Sequence, residues 1–389
     1  MAVEPQDIVI IGGGVIGAAI AYYLAKQGAK PLLLERFALC SGSSSACDQA
    51  VSMQSKNPGI SLELALASRA MFPGLSDELA NDLEFCECGG MIAIENEQQL
   101  AVMQRFVAGQ RQNGLTVELL DGAEARRRQP ALAPTILAST FSPLDAKINP
   151  MKLTYAYAQA AIRLGAKIDC GTEVKAITVR RAKVEGVVTQ DRVISTHLVI
   201  NAAGIWASQV GALAGLNIPI KPRRGQLIVT EAIPGLVRGE LWSARYIVAK
   251  HNPELIRQED PAAAELGVGL SVSVKEDGKL LIGGTREFSG YDAGTTPQAI
   301  AAILRHAANV LPALKQVHVI RTFAGLRPYT PDGKPILGPV SGLDGFIMAA
   351  GHEGDGIALA PVTGKIMAEY LAAGIRHKAI TELSASRFV

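Results

Sequence analysis

The chain has 389 residues, 48% hydrophobic and 19% charged, with 39 glycines and 20 prolines; this composition excludes a disordered or fibrous protein, and the length predicts two lobes rather than one core. Thirty-eight Lys and Arg against thirty-six Asp and Glu leave a formal charge of +2, too balanced to draw in nucleic acid or an anionic membrane by long-range field. Five cysteines, an odd number in a long chain, argue against a disulfide framework and for a reducing, cytoplasmic compartment.

The opening DIVIIGGGVIGAAIAYYLAKQGAKPLLLER reads as a βαβ unit: an apolar strand over 8–11, a glycine turn, an amphipathic helix to about residue 27, a stop at Gly28 and a second strand ending at Glu35. The uncharged run 8–24 is no signal peptide or transmembrane segment, because acidic Glu4 and Asp7 precede it, four glycines interrupt it and its period switches midway. Gly12, Gly14 and Gly17 form GxGxxG between strand and helix. Gly12 permits the tight turn, Gly14 lets the backbone approach a pyrophosphate at the positive helix end, and Gly17 allows close packing. Val15 and Ile16 open that helix. Glu35, near the offset expected for a carboxylate that accepts from a ribose hydroxyl, favours an adenine dinucleotide without a ribose phosphate; Arg36 follows it. The motif alone does not separate FAD from NAD. The segment SGSSSACDQA then supplies Ser43, Ser44 and Ser45 as donors suited to a pyrophosphate, with Gln49 and Ala50 closing it.

Farther along, Cys86 and Cys88 form a lone CxC without the partners of a metal site, and Arg126, Arg127 and Arg128 read as a solvated turn before Pro130. A helix starts at Pro150; GTEVKAITV and KVEGVVT form a strand pair, and HLVINAAG is a buried strand. From 221 to 285 short strands (GQLIVTE, RYIVAK, LSVSVKE, KLLIGGT) predict an antiparallel sheet in a separate lobe, with 251–267 as a surface insertion. Helical periodicity returns at PQAIAAILRHAANVLPAL, and the C-terminal portion holds a strand (DGFIMAAG), a glycine turn and a last helix. There is no repeat or low-complexity linker, so the lobes are interleaved: 1–84, 145–220 and 318–389 in a nucleotide-binding domain, 85–144 and 221–317 in a substrate domain.

Taken with NAAGIWA, RRGQ, GLRPYTPDGKPILGP and GHEGDGIALAPVTGK, these pieces resemble the D-amino acid oxidase family of flavoproteins over nearly the whole length, in the branch of glycine oxidase and the FAD-carrying subunit of sarcosine oxidase. CDQAVSMQSKNPG and GHEGDGIALAP are most similar to FAD subunits of opine and D-hydroxyproline dehydrogenases and of hydrogen cyanide synthase. The resemblance implies an α/β fold: a discontinuous, Rossmann-like FAD/NAD(P)-binding domain with an interleaved antiparallel-sheet substrate domain. It implies non-covalent FAD, since the early serine segment lacks the histidine, and the C-terminal loop the cysteine, that attach flavin in some members. Val174 would lend backbone groups to the adenine, and Ala203 and Gly204 would pass close to the cofactor. Gly351, Gly354, Asp355, Gly356 and Ile357 would present backbone amides to the flavin at a helix N-terminus.

Arg327 matches the arginine that clamps the substrate carboxylate, a task for a planar fork; a salt bridge with Asp332 is the alternative. His352 either lines the site as a catalytic residue or only holds the loop. Asp48 and Gln49 stand where glycine oxidases have small residues, and the lysine that assists dioxygen chemistry is unplaced among Lys250, Lys275 and Lys279. The expected reaction is C–N oxidation of a small, secondary amino acid, as the FAD subunit of a hetero-oligomeric dehydrogenase whose partners carry FMN or an iron-sulfur cluster. A self-contained oxidase making hydrogen peroxide and a flavin-binding subunit with an idle site are the alternatives; the amine, its stereochemistry and the electron acceptor stay open.

Overall fold

The computed structural model describes residues 3–251 and 253–388. Two large sheets organise the chain. The first has six strands in the order Ile336–Pro339, Phe346–Ala350, Val199–Asn201, Val9–Ile11, Leu32–Glu35 and Lys167–Cys170. All neighbours are parallel except the first pair. A parallel sheet is covered on both faces and so reads as continuous apolar runs. Leu32, Leu33 and Leu34 are accordingly at most 1% exposed, each burial contributing roughly 1.5–3 kcal/mol.

The helix Val15–Lys26 lies over this sheet, packed against the helices Pro150–Arg163 and Gly356–Ala373. It is buried from Val15 to Ala25 because its alanines admit close neighbours. At one crossing a Cβ on Gly364 would stand 2.6 Å from the Tyr23 ring and 3.0 Å from the Ala19 backbone, so only glycine fits. A separate four-stranded sheet contains the hairpin Val174–Arg180 with Lys183–Thr189.

The second large sheet has eight strands in the order Val319–Tyr329, Lys221–Ala232, Lys279–Gly283, Ser271–Val274, Glu240–Ser243, Gly90–Ile94, Ala138–Ser142 and Glu118–Asp121. Its pairs are antiparallel apart from Glu240–Ser243 with Gly90–Ile94, which run parallel. The helix Pro297–Val310 covers one face. Thr296 caps it, accepting from Ala299 N, Pro297 starts it, and Ile303, Ala307 and Val310 join the core of Ile228, Val272 and Ile282.

Four expectations change. RYIVAK is helical, within Arg245–His251, rather than a strand; Ile247 and Val248 are both buried, and a run this short does not separate the two periods. The insertion 251–267 contains the helices Pro253–Glu259 and Pro261–Glu265, with Ile256 and Ala263 buried. The three arginines end the helix Gly122–Arg128, where Arg127 and Arg128 pair with Glu124 at 2.7 Å. Finally, the strand Val319–Tyr329, expected to begin the last part of the nucleotide-binding domain, pairs along Lys221–Ala232 from Lys221↔Tyr329 to Thr230↔Val319. The chain therefore leaves the eight-stranded sheet after Tyr329 and not at 318. Among the described residues no helix is long and apolar enough to cross a membrane, and all five cysteines are free thiols.

Candidate active site

One long cleft runs from the carboxyl end of the opening βαβ unit to the eight-stranded sheet. Its wall contains Gly12, Gly14, Val15, Ile16, Glu35, Arg36, Ser43, Ser44, Ala50, Val174, Ala203 and Gly204, then Arg327, Gly351, His352, Gly354, Asp355, Gly356 and Ile357. Of the residues singled out in the sequence, Gly17, Ser45 and Gln49 lie off this wall. A Cβ on Gly17 would stand 1.9 Å from Gly12 O, so this glycine serves helix-to-strand packing. Ser45 is exposed, its hydroxyl donating to Gly42 O at 3.2 Å. Gln49 is buried, and its carbonyl accepts from Ile148 N at 2.9 Å.

The nucleotide end is built from backbone. Gly12 has φ +117° and a Cβ there would meet Ala202 O at 2.5 Å, so the turn requires glycine. Both oxygens of Glu35 are oriented by main-chain donors, Gly13 N at 2.7 Å and Phe37 N at 2.8 Å. Ser44 Oγ accepts from Val15 N at 3.1 Å, satisfying one of the donors at the start of the first helix. Ser43 Oγ donates to Leu326 O at 2.5 Å, and Gly325 has no room for a Cβ against Ala46 O. These two contacts lock the serine turn to the strand that carries Arg327. The Arg36 guanidinium lies 4.1 Å from the Trp206 ring centre.

The far end begins at the last long helix. Asp355 is its N-cap residue by position, yet its side chain makes no capping bond, and neither does Gly14 at the first helix. Two helix N-termini with free donor capacity thus open on the same cleft, one beside a glycine turn and one beside a glycine-rich loop. A pyrophosphate fits the first and a heteroaromatic ring edge with acceptors fits the second, so the residues present suit FAD. Lys56, 3% exposed, donates to Asp355 Oδ1 and to Ser55 Oγ, each at 2.8 Å. Burial works most strongly against its charge, but the Asp355 carboxylate together with Tyr246 and Asp145 outweighs it and raises the Lys56 pKa.

His352 is 3% exposed and 3.1 Å from Thr363 Oγ1 through Nε2. Burial lowers its pKa to about 4, against the opposing pull of Asp355, so the ring is neutral near pH 7 and ties the loop to the last helix. Arg327 donates from Nη1 to Thr285 O at 3.0 Å. A Cβ on Gly225 would stand 2.2 Å from that nitrogen, so glycine there makes room for the fork. Asp332 pairs instead with Arg387 at 2.8 Å, and among the described residues Arg327 has no ion-pair partner.

Sequence reasoning missed several members of this wall. Lys56 is the only charge between Gln49 and Leu62, and an isolated lysine in an uncharged run was the available signal. Lys279, one of the lysines considered, pairs with Asp277 at 2.5 Å in a turn, and neither it nor Lys275 lines the cleft; the Lys250 side chain lies outside the described residues. Asp48 lines the cleft, and burial raises its carboxyl pKa despite Arg327 nearby. Behind it Glu240, 1% exposed, bonds Ser273 through Oε2, and burial pushes its pKa up to about 8. Arg286 and Tyr246 also face the cleft.

Compared with known proteins, residues 7–370 match the family described as FAD dependent oxidoreductase, DAO. The chain is 30% identical to the hydrogen cyanide synthase subunit HcnC of Pseudomonas aeruginosa, over 93% of this chain and 91% of that one. It is 30% identical to the glycine oxidase of Geobacillus kaustophilus, over 93% and 92%; the crystal structure of glycine oxidase from that organism superposes with a TM-score of 0.88, covering 99% of this chain and all of the other at 28% identity. The crystal structure of L-proline dehydrogenase from P. horikoshii gives a TM-score of 0.88 at 27% identity, covering 100% and 98%.

Proposed function

Since the chain belongs to the DAO family of FAD-dependent oxidoreductases, we propose that it oxidises the C–N bond of a small amino acid whose carboxylate is held by Arg327. The observation that carries this reading is a guanidinium facing the cleft without an acidic partner among the described residues. FAD, bound non-covalently across the two helix starts, supplies the two-electron acceptor. Arg327 orients the substrate through a bidentate pair, fixing which carbon faces the ring. Thr285 O and the space above Gly225 hold the guanidinium in place. The neutral His352 adds no positive charge that would repel an amine. The carbon gives up a hydride, the nitrogen a proton, and water hydrolyses the imine to a carbonyl compound and an amine.

Adding glycine, proline and N-alkyl amino acids to the yellow protein without oxygen tests this: at least one should bleach the flavin absorbance, and a spectrum unchanged by all would remove the reading. The similarity to hydrogen cyanide synthase subunit HcnC favours a second, finer element, a subunit of a hetero-oligomeric dehydrogenase that passes its electrons to a partner. The purified chain would then bleach with substrate yet release little peroxide in air. Peroxide in step with substrate consumption would mark a self-contained oxidase instead.

A further inference from the structure

Five carboxyl side chains line the cleft, and four of them are engaged. Glu35 is held by Gly13 N and Phe37 N. Glu173 pairs with Lys175, Glu353 with Arg223, and Asp355 with Lys56 at 2.8 Å. The fifth is Asp48, which enters no ion pair among the described residues.

Backbone contacts fix Asp48 near Arg327. Ala46 O leaves Gly325 no room for a Cβ, so the turn that carries Asp48 lies against the strand that carries Arg327, each two residues farther on. After Asp48 the chain is pinned again: Ala50 pairs with Lys147, and Gln49 O accepts from Ile148 N at 2.9 Å. Ala50 N and the Ser271 hydroxyl face the carboxyl, and Leu227, Trp242 and Leu270 line the same cleft. Asp48 and Arg327 are thus opposite charges on one wall that do not meet. The gap between them fits a zwitterion, its carboxylate on the guanidinium and its ammonium on the Asp48 carboxylate.

An amino acid enters as that zwitterion, and an ammonium has no lone pair with which to form a C–N double bond. It must lose a proton before the carbon can release a hydride. Other groups on the wall accept that proton poorly. His352 Nε2 is engaged by Thr363 Oγ1, and burial disfavours the protonated ring; burial also keeps the Cys47 thiol protonated. Around Asp48 itself, burial raises the proton affinity, Arg327, Ala50 N, Ser271 and Lys56 act the other way, and buried Glu240 adds repulsion.

Building on the reading that Arg327 holds the substrate carboxylate, we propose that Asp48 is a catalytic residue that binds the substrate ammonium and takes its proton. The N–H bond breaks and the proton passes to an Asp48 carboxylate oxygen. The freed lone pair forms the second C–N bond as the hydrogen on carbon leaves with its electron pair for FAD. Water hydrolyses the resulting iminium, and Asp48 returns its proton to solvent.

Methoxyacetate tests this without turnover and without a variant. Its ether oxygen replaces the nitrogen and brings no proton, so Asp48 must take one from solvent to face it. Titrated into the FAD-loaded protein while the flavin spectrum is followed, it should bind more tightly as pH falls from about 8 to 5, by up to about tenfold per unit. In Asp48→Asn that dependence should vanish. Anaerobic bleaching at pH 7 by whichever of glycine, proline or sarcosine reacts should be about a hundredfold slower in Asp48→Asn. It should recover as rising pH strips the ammonium in solution, and return in part in Asp48→Glu; Glu240→Gln should leave these results in place. Methoxyacetate affinity independent of pH in the unaltered protein would overturn the proposal and leave the C–N reading standing. So would an Asp48→Asn protein that bleaches at full speed, or one that stays slow at every pH. An unaltered protein bleached by none of these amino acids would instead remove the reading on which the proposal rests.

Discussion

The two ends of the cleft are made differently. At the nucleotide end the contacts come from backbone: Gly13 N and Phe37 N on Glu35, Val15 N on Ser44, and glycines where any Cβ would strike a carbonyl. At the substrate end they come from side chains delivered by distant strands, including Arg286 and Arg327, which enter no ion pair among the described residues, and buried Glu240, whose Oε1 has no hydrogen-bond partner among them. The first end is built for stability and the second holds uncompensated charge that a ligand can match. A side chain placed on the tight glycines of the nucleotide end should therefore destroy the fold, and substitutions among the guanidiniums should change the ligand.

The sharpest test of that contrast is Gly17→Val. With a Cβ placed 1.9 Å from Gly12 O, strand and helix must separate, at more than about 4 kcal/mol; the expected product is colourless and shows no cooperative unfolding transition. A folded yellow protein would mean that the backbone end is softer than its contacts indicate. Next in size is Lys56→Met, which leaves Asp355 without its buried cation. A loss of about 3 kcal/mol in denaturant unfolding is expected, and Lys56→Met with Asp355→Asn should recover much of it.

Two buried groups at the substrate end predict opposite pH responses. His352, lowered to about 4 in the fold from about 6.5 unfolded, contributes stability above the unfolded value that is lost as pH falls from about 6.5 towards 4. That loss is on the order of 3 kcal/mol, and His352→Gln should flatten the acid limb. Glu240, raised to about 8, behaves in the reverse sense. Its contribution is present below about pH 4.5 and is lost as pH rises through about 8, so Glu240→Gln should flatten the alkaline limb. Melting temperatures across pH 4–9 check both signs. The smallest effect is Ser44→Ala, which removes the acceptor for Val15 N and should cost about 1 kcal/mol.

The same contrast explains what was legible beforehand. The GxGxxG turn, the βαβ unit and Glu35 could be read because backbone geometry dictates those residue types, and most strands announced themselves by apolar runs. RYIVAK misled because six residues fit either period until tertiary packing chooses. Arg327 was singled out through family resemblance, since nothing in its neighbours shows that Asp332 belongs to Arg387. Arg286 carries no local signature and is placed by Tyr246 on a helix read as a strand; Lys56 stands out in the sequence only as a lone charge, and its partner Asp355 is 299 residues away.

The central claim, that the Arg327 guanidinium, without an ion-pair partner among the described residues, selects amines by their carboxylate at the ring end of the cleft, is tested most directly by anaerobic bleaching of the flavin. Iminodiacetate and dimethylamine share a secondary nitrogen and differ in their carboxylates. The account predicts rapid bleaching by iminodiacetate, little by dimethylamine, and loss of the difference in Arg327→Gln; equal bleaching by both amines, or a preference untouched by that substitution, would contradict it.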